Sequence, residues 1–100
     1  MTGCGMCGNT LLESQVSPNG EMKLVSFLYD CGATTGFSTQ VSVLDSDAAV
    51  ISSGNLLTTD GKNKLQLSWL SDHAVAISGT EKLKIHKQET EYDGVSVIYR

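Results

Sequence analysis

The 100-residue chain has little of what several large protein classes need: one proline, seven lysines and arginines, and no apolar run longer than about four residues. A membrane helix takes about 20 consecutive apolar residues, so the chain as given contains no such span. Binding nucleic acid without sequence preference takes a dense basic face, whereas 11 acidic residues give this chain a net charge of −4. We therefore expect no nucleic-acid partner.

Helical periodicity is also missing, and apolar residues instead recur at every second position. In "FSTQVSV", residues 37–43, the odd positions are apolar or threonine, whereas Ser38, Gln40 and Ser42 fall on the other face. This alternation is typical of a half-buried antiparallel strand. The preceding run "EMKLVSFLYD" is apolar in both phases, which predicts a central strand that forms a hairpin with residues 37–44.

Turn-forming residues separate the other predicted strands. The run "SPNG" precedes "EMKLVSFLYD", Ser71-Asp72 joins "KLQLSWL" to "HAVAISG", and Asp93-Gly94 joins "KLKIHKQ" to "GVSVIYR". In the middle of the chain we predict only one short strand, at residues 49–52. The pattern predicts an all-β fold, a compact antiparallel sandwich or curled sheet of about six or seven short strands. Residues 16–100 form this single domain, and residues 1–15 are predicted to be a flexible N-terminal tether.

The cysteines and histidines do not show the spacing of a metal or redox site. Cys4 and Cys7 form a C-x-x-C pair, but a zinc site needs two more ligands, and Cys31, His73 and His86 lie far apart in the sequence. A redox pair normally opens a helix that lowers the thiol pKa, and the glycine-rich run "GCGMCGNT" does not predict one. We predict no metal and no cofactor.

Catalytic and calcium-binding patterns are incomplete as well. Ser71, Asp72 and His73 are adjacent on a predicted tight turn, where they cannot align as nucleophile, base and orienting group. Asp45 and Asp47 match only the first ligands of a calcium loop. The sequence therefore predicts no catalytic residues and argues against an enzyme.

The N-terminal half carries a family resemblance. In "MTGC", a small residue directly precedes Cys4, as at the end of a bacterial lipoprotein signal. The runs "CGNTLLES", "SPNGEMKLVSFLYD" and "DCGATTGFSTQVSVL" resemble an uncharacterised family of short bacterial lipoproteins with a C-G-N-T start and a D-C-G-A-T-T-G-F-S-T-Q-V-S core. Tyr29 departs from the basic residue of that pattern, and Cys4 adds a cysteine ahead of the C-G-N-T. The resemblance implies lipidation, for which the Gly-Cys context favours Cys4 over Cys7, and a place in the cell envelope. It also implies about 20 signal residues before Met1.

An odd number of cysteines in an exported protein implies that one thiol has another use. If Cys4 is acylated, Cys7 and Cys31 are left to form a disulfide. Closing that loop of about 25 residues would stabilise the domain by roughly 3 kcal/mol. The alternative is three free thiols in a reducing cytosol, where disulfides rarely persist.

Two functional hypotheses follow. The first is a non-enzymatic binding or structural module of unknown specificity, tethered to the bacterial envelope on its periplasmic or surface side, with a protein partner and with membrane contact only through its N-terminal lipid. The second is a small cytosolic inhibitor, encoded by a phage or mobile element, that occludes a host protein complex. Gene neighbourhood would discriminate between them.

Overall fold

A computed structural model describes residues 8–30, 37–48, 55–80 and 83–100. Over these residues the chain is all-β, as predicted, with nine strands in two sheets and no helix. The strands are β1 (Gly8–Val16), β2 (Met22–Asp30), β3 (Phe37–Asp45), β4 (Leu57–Asp60), β5 (Gln66–Ser71), β6 (Ala74–Ser78), β7 (Ile85–Gln88), β8 (Glu91–Tyr92) and β9 (Val95–Tyr99). The count exceeds the predicted six or seven, and the strand expected at residues 49–52 lies outside the described residues.

The first sheet, sheet A, has the order β1-β2-β3-β4-β7, and all its neighbours are antiparallel. β2 and β3 pair along their full length, from Met22 opposite Asp45 to Asp30 opposite Phe37, which confirms the predicted hairpin. The predicted turn at "SPNG" joins β1 to β2, with Gly20 at a φ of 77°. Glycine adopts this left-handed conformation without the strain that a side chain would add.

The second sheet, sheet B, has the order β5-β6-β9-β8. β5 and β6 form the predicted hairpin, and Asp93 and Gly94 form the predicted turn between β8 and β9, both with positive φ. β6 and β9 run parallel, so the sheet is mixed. The predicted pairing of "KLKIHKQ" with "GVSVIYR" is wrong, because β7 pairs with β4 in sheet A while β9 lies in sheet B.

The prediction of a flexible tether at residues 1–15 is wrong for residues 8–15, the part of that range that the structure describes. Gly8–Val16 forms β1, which pairs with β2 and has a bulge between Leu11 and Glu13. Residues 1–7 lie outside the described part of the chain.

The hydrophobic core joins the facing surfaces of the two sheets. Leu24 and Val41 from sheet A and Val75 and Ile77 from sheet B are all fully buried in one cluster. The prediction that β3 is half-buried is wrong, because Gln40 on its polar face is only 5% exposed. Burial on both faces is also found in β2, as predicted for a central strand.

Candidate binding groove

β1 and β5 are edge strands of different sheets, and they are joined where Gln15 meets β5. The indole Nε1 of Trp69 donates a hydrogen bond to the Gln15 carbonyl at 2.8 Å. The Gln15 side-chain amide in turn donates to the Leu67 carbonyl at 2.6 Å and to the Glu13 carboxylate at 2.6 Å. The hydrogen bonds to Trp69 and Leu67 fix the spacing between the two edges at this point.

Beside this junction lies an open cavity of about 450 Å³. One wall is the β1 bulge, where Leu12 is 43% exposed. Bulges commonly redirect side chains at sheet edges. The opposite wall is the segment 62–65 that leads into β5, and the buried Ser26 of β2, which pairs with Glu13, also lines the cavity.

A second cavity of about 480 Å³ adjoins the first, because Glu13, Lys64 and Leu65 line both. It follows β5 and reaches Ser78 and Arg100. We call the two cavities together the β1–β5 groove. Its lining residues are Leu12, Glu13, Gln15, Ser26, Lys62, Asn63, Lys64, Leu65, Gln66, Leu67, Ser68, Ser78 and Arg100.

The groove wall formed by residues 62–65 is held by hydrogen bonds to two fully buried threonines. The Thr39 hydroxyl donates to the Gly61 carbonyl at 2.7 Å and accepts from the Asn63 backbone N–H at 2.8 Å. The Asn63 side-chain amide donates to the Thr59 hydroxyl at 3.2 Å and to the Asp60 carbonyl at 2.8 Å. Gly61 itself has a φ of 86°, a conformation that favours glycine. The wall is therefore built on the interior of sheet A.

Charge is unevenly distributed around the groove. Three of the chain's seven basic residues, Lys62, Lys64 and Arg100, line it, and Glu13 is its one acidic lining residue. The chain as a whole carries a net charge of −4. Leu12 and Leu65 add apolar surface between the charges. The groove thus combines a basic rim with apolar side chains in its walls, which suits a ligand that is both anionic and apolar.

The predicted lipidation site, Cys4, and the predicted disulfide partners, Cys7 and Cys31, lie outside the described residues. Acylation and the disulfide therefore stay predictions.

The Ser71-Asp72-His73 segment is placed at the β5–β6 connection, where a turn was expected. The Asp72 carboxylate accepts a hydrogen bond from the Asn19 backbone N–H at 2.9 Å, and the His73 backbone N–H donates to the Ser71 hydroxyl at 3.2 Å. Asp72 thereby ties this turn to the turn between β1 and β2. The contacts are those of a turn that joins the two sheets.

The partly buried hydroxyl of Tyr99 has a raised pKa. Burial raises the pKa of Tyr99 from its ordinary 10.0 to about 12, and the negative charge of Glu89 acts in the same direction. The neutral hydroxyl donates a hydrogen bond to the Glu89 carbonyl at 2.5 Å. This contact ties the end of β9 to the segment after β7, so the hydroxyl has a structural role.

Two further observations cover the described residues only. They contain no group of three or more histidine, cysteine, aspartate or glutamate side chains that could hold a metal ion. None of their segments forms a helix long and apolar enough to cross a membrane.

No family model, curated protein or solved structure matches the chain. The groove was also missed by reasoning from sequence, because its walls come from β1, residues 62–65 and Arg100, which are far apart in the chain. The one local signal was the basic pair Lys62 and Lys64 directly before an alternating apolar strand.

Proposed function

We propose that this chain is a non-catalytic binding module of the bacterial cell envelope and that the β1–β5 groove is its binding surface. The observation that carries the proposal is the basic rim of Lys62, Lys64 and Arg100 around a groove with the apolar side chains of Leu12 and Leu65 in its walls, in an otherwise acidic chain. Charges of one sign gathered on a concave surface attract and orient a partner of the opposite sign. Their clustering here therefore supports recognition of another molecule.

The proposed location rests on the sequence. The "MTGC" start and the C-G-N-T and D-C-G-A-T-T-G-F-S-T-Q-V-S segments resemble short bacterial lipoproteins. We propose that an acyl chain on Cys4 anchors the domain at the periplasmic face or the cell surface, where a protein partner would reach the groove.

Site-specific crosslinking in cells tests the binding surface. A photoreactive amino acid at Leu12, on the groove wall, should give a crosslinked adduct that disappears in a Lys62→Glu/Lys64→Glu background. The same amino acid at Leu70, which is 45% exposed and outside the groove lining, is the matched control. Equal adducts at both positions, or an adduct at Leu12 that survives the two charge reversals, would contradict the proposal.

Metabolic labelling with radioactive palmitate tests the location. The full-length gene product should incorporate label in a membrane fraction, and Cys4→Ala should abolish the labelling while Cys7→Ala leaves it. Unlabelled protein in the cytosol would contradict envelope anchoring and would instead fit a small cytosolic inhibitor that occludes a host protein complex.

A further inference from the structure

We infer that the β1–β5 groove binds an extended acidic peptide segment of a partner protein, which adds to the edge of β1 as an extra strand. This inference rests on the proposed function and adds the chemical class of the partner.

The first support is the state of the β1 edge. Among the described strands β1 pairs only with β2, so one side of its backbone is left for another partner. Natural proteins usually protect such edges with charged residues, especially lysine, with proline or with a β-bulge. Of these, β1 has the bulge and Glu13 but neither lysine nor proline, and its Leu11, Leu12 and Val16 are 56%, 43% and 55% exposed. An edge with this much exposed apolar surface is suited to strand addition.

The second support is that β5 does not pair with this edge as a strand. The two hydrogen bonds between β1 and β5 each use a side chain, and both involve Gln15. They lie toward the C-terminal end of β1, away from its first residues. Leu12 and Glu13, on the N-terminal side of this junction, line the groove.

The third support is the charge of the opposite wall. An extended peptide places alternate side chains on the same side about 7 Å apart. Aliphatic side chains in one phase can contact Leu12 and Leu65, and carboxylates can reach Lys62, Lys64 or Arg100 at the rim. Since three basic residues line the groove against the single acidic Glu13, a basic peptide would meet mostly like charges. Phosphate or an anionic lipid would satisfy the basic rim but could not pair with the backbone of a strand edge, so the two features together favour an acidic peptide.

Trp69 gives a fluorescence signal for binding, because it is the chain's one tryptophan and its indole is hydrogen-bonded to the Gln15 carbonyl beside the groove. The full chain is titrated with a blocked synthetic peptide in which glutamate alternates with valine, and indole fluorescence and calorimetry give the Kd. We expect saturable binding that weakens with added salt, and no binding of the same peptide with lysine in place of glutamate.

Three comparisons then define the outcome. Lys62→Glu/Lys64→Glu should weaken peptide binding at least about tenfold, whereas Lys87→Glu, an exposed lysine on β7 outside the groove lining, should leave the Kd within about twofold. Two further peptides carry N-methyl groups on every second backbone nitrogen, one peptide on the odd residues and the other on the even residues. Because N-methylation removes a backbone hydrogen-bond donor and leaves the charge unchanged, these peptides separate backbone pairing from charge attraction. We expect methylation to abolish the binding of one of these two peptides.

The inference is overturned if the charge reversals leave the Kd unchanged, if both methylated peptides bind as well as the parent, or if only phosphate or anionic vesicles bind. Should crosslinking at Leu12 still depend on Lys62 and Lys64 while the acidic peptide fails to bind, the groove is a binding surface and only the assigned ligand class is wrong. If the Leu12 crosslink does not depend on Lys62 and Lys64 and the acidic peptide also fails to bind, the proposed function is wrong as well.

Discussion

Replacing Thr39 by valine tests whether buried hydroxyls beneath the groove wall determine its shape. The Thr39 side chain is fully buried, and valine reproduces its volume without the hydroxyl. The substitution removes the bond donated to the Gly61 carbonyl and the bond accepted from the Asn63 N–H. Gly61 directly precedes the groove wall, and Asn63 lies within it.

The size of the effect follows from those two bonds. An intramolecular hydrogen bond contributes about 0.5–1.5 kcal/mol net, and a buried group left without a partner costs about 1–3 kcal/mol. Because both bonds are only partly buried, water can reach the freed groups at Gly61 and Asn63. We therefore expect Thr39→Val to lower the free energy of unfolding by about 2 kcal/mol, from the roughly 5–10 kcal/mol typical of a domain this small.

Urea unfolding followed by circular dichroism measures this change. Thr58→Val is the matched control: Thr58 is a half-buried threonine on β4 that does not take part in the Thr39 bonds, and its replacement should shift stability by less than about 0.5 kcal/mol. The Thr39 variant should have a lower midpoint at an unchanged slope, together with weaker binding of the acidic peptide. Equal midpoints for the two variants, or a normal peptide affinity in a destabilised Thr39 variant, would refute the reasoning.

Three other predictions concern the core, the pH response and the cysteines. Leu24→Asp and Phe27→Asp should each abolish folding, because both side chains are fully buried and each variant would bury an unpaired charge; loss of the dispersed backbone amide NMR spectrum would show it. Tyr99→Phe should lose less stability than the parent as pH rises from about 10 to 12. Because the pKa of Tyr99 is raised to about 12 in the folded state, the stability that its neutral hydroxyl contributes is fully present below the ordinary pKa of 10.0 and is lost as pH passes about 12. Urea midpoints measured as a function of pH test this. Unreduced, unacylated protein from the periplasm should carry one alkylatable thiol by mass spectrometry if Cys7 and Cys31 are bonded, and three alkylatable thiols would contradict the disulfide.

Strand positions with a clear alternation or a strong turn signal could be predicted from the sequence. β2 and β3 follow from the two apolar phases of "EMKLVSFLYD" and the alternation of "FSTQVSV". The β8–β9 turn follows from Asp93-Gly94, since both residues tolerate the positive φ that this turn requires. These signals lie within a few consecutive residues, so they can be recognised without knowing which strands pair in the fold.

β1 could not be predicted because its bulge interrupts the alternation. Leu11 and Leu12 are adjacent in sequence, and the register shift between Leu11 and Glu13 gives the strand one extra residue relative to β2. A period-two search therefore finds no strand there. The burial of Gln40 was missed for another reason: which face of a strand is covered depends on the rest of the fold, not on the strand's own polarity.

The pairing of β7 and the groove itself were beyond the reach of local patterns. A hairpin between "KLKIHKQ" and "GVSVIYR" was the simplest interpretation, but two-residue β8 took the place of β7 as the neighbour of β9. The groove depends on how the two sheets pack, because that packing brings residues 62–65 and Arg100 close to β1.

The strand order also has a consequence for how the chain folds. Sheet A is completed only when β7 joins β4, after β5 and β6 have entered sheet B, and sheet B is completed only when β9 docks in parallel beside β6. Neither sheet is therefore encoded by one continuous stretch, and removing the residues after β6 would take β7 from sheet A and both β9 and β8 from sheet B. A chain with such distant pairings must close long loops before its contacts form, which is typical of domains that fold in milliseconds to seconds. Because Val95 and Val97 of β9 belong to the core cluster, we expect a nascent chain to lack a complete core until β9 has been synthesised.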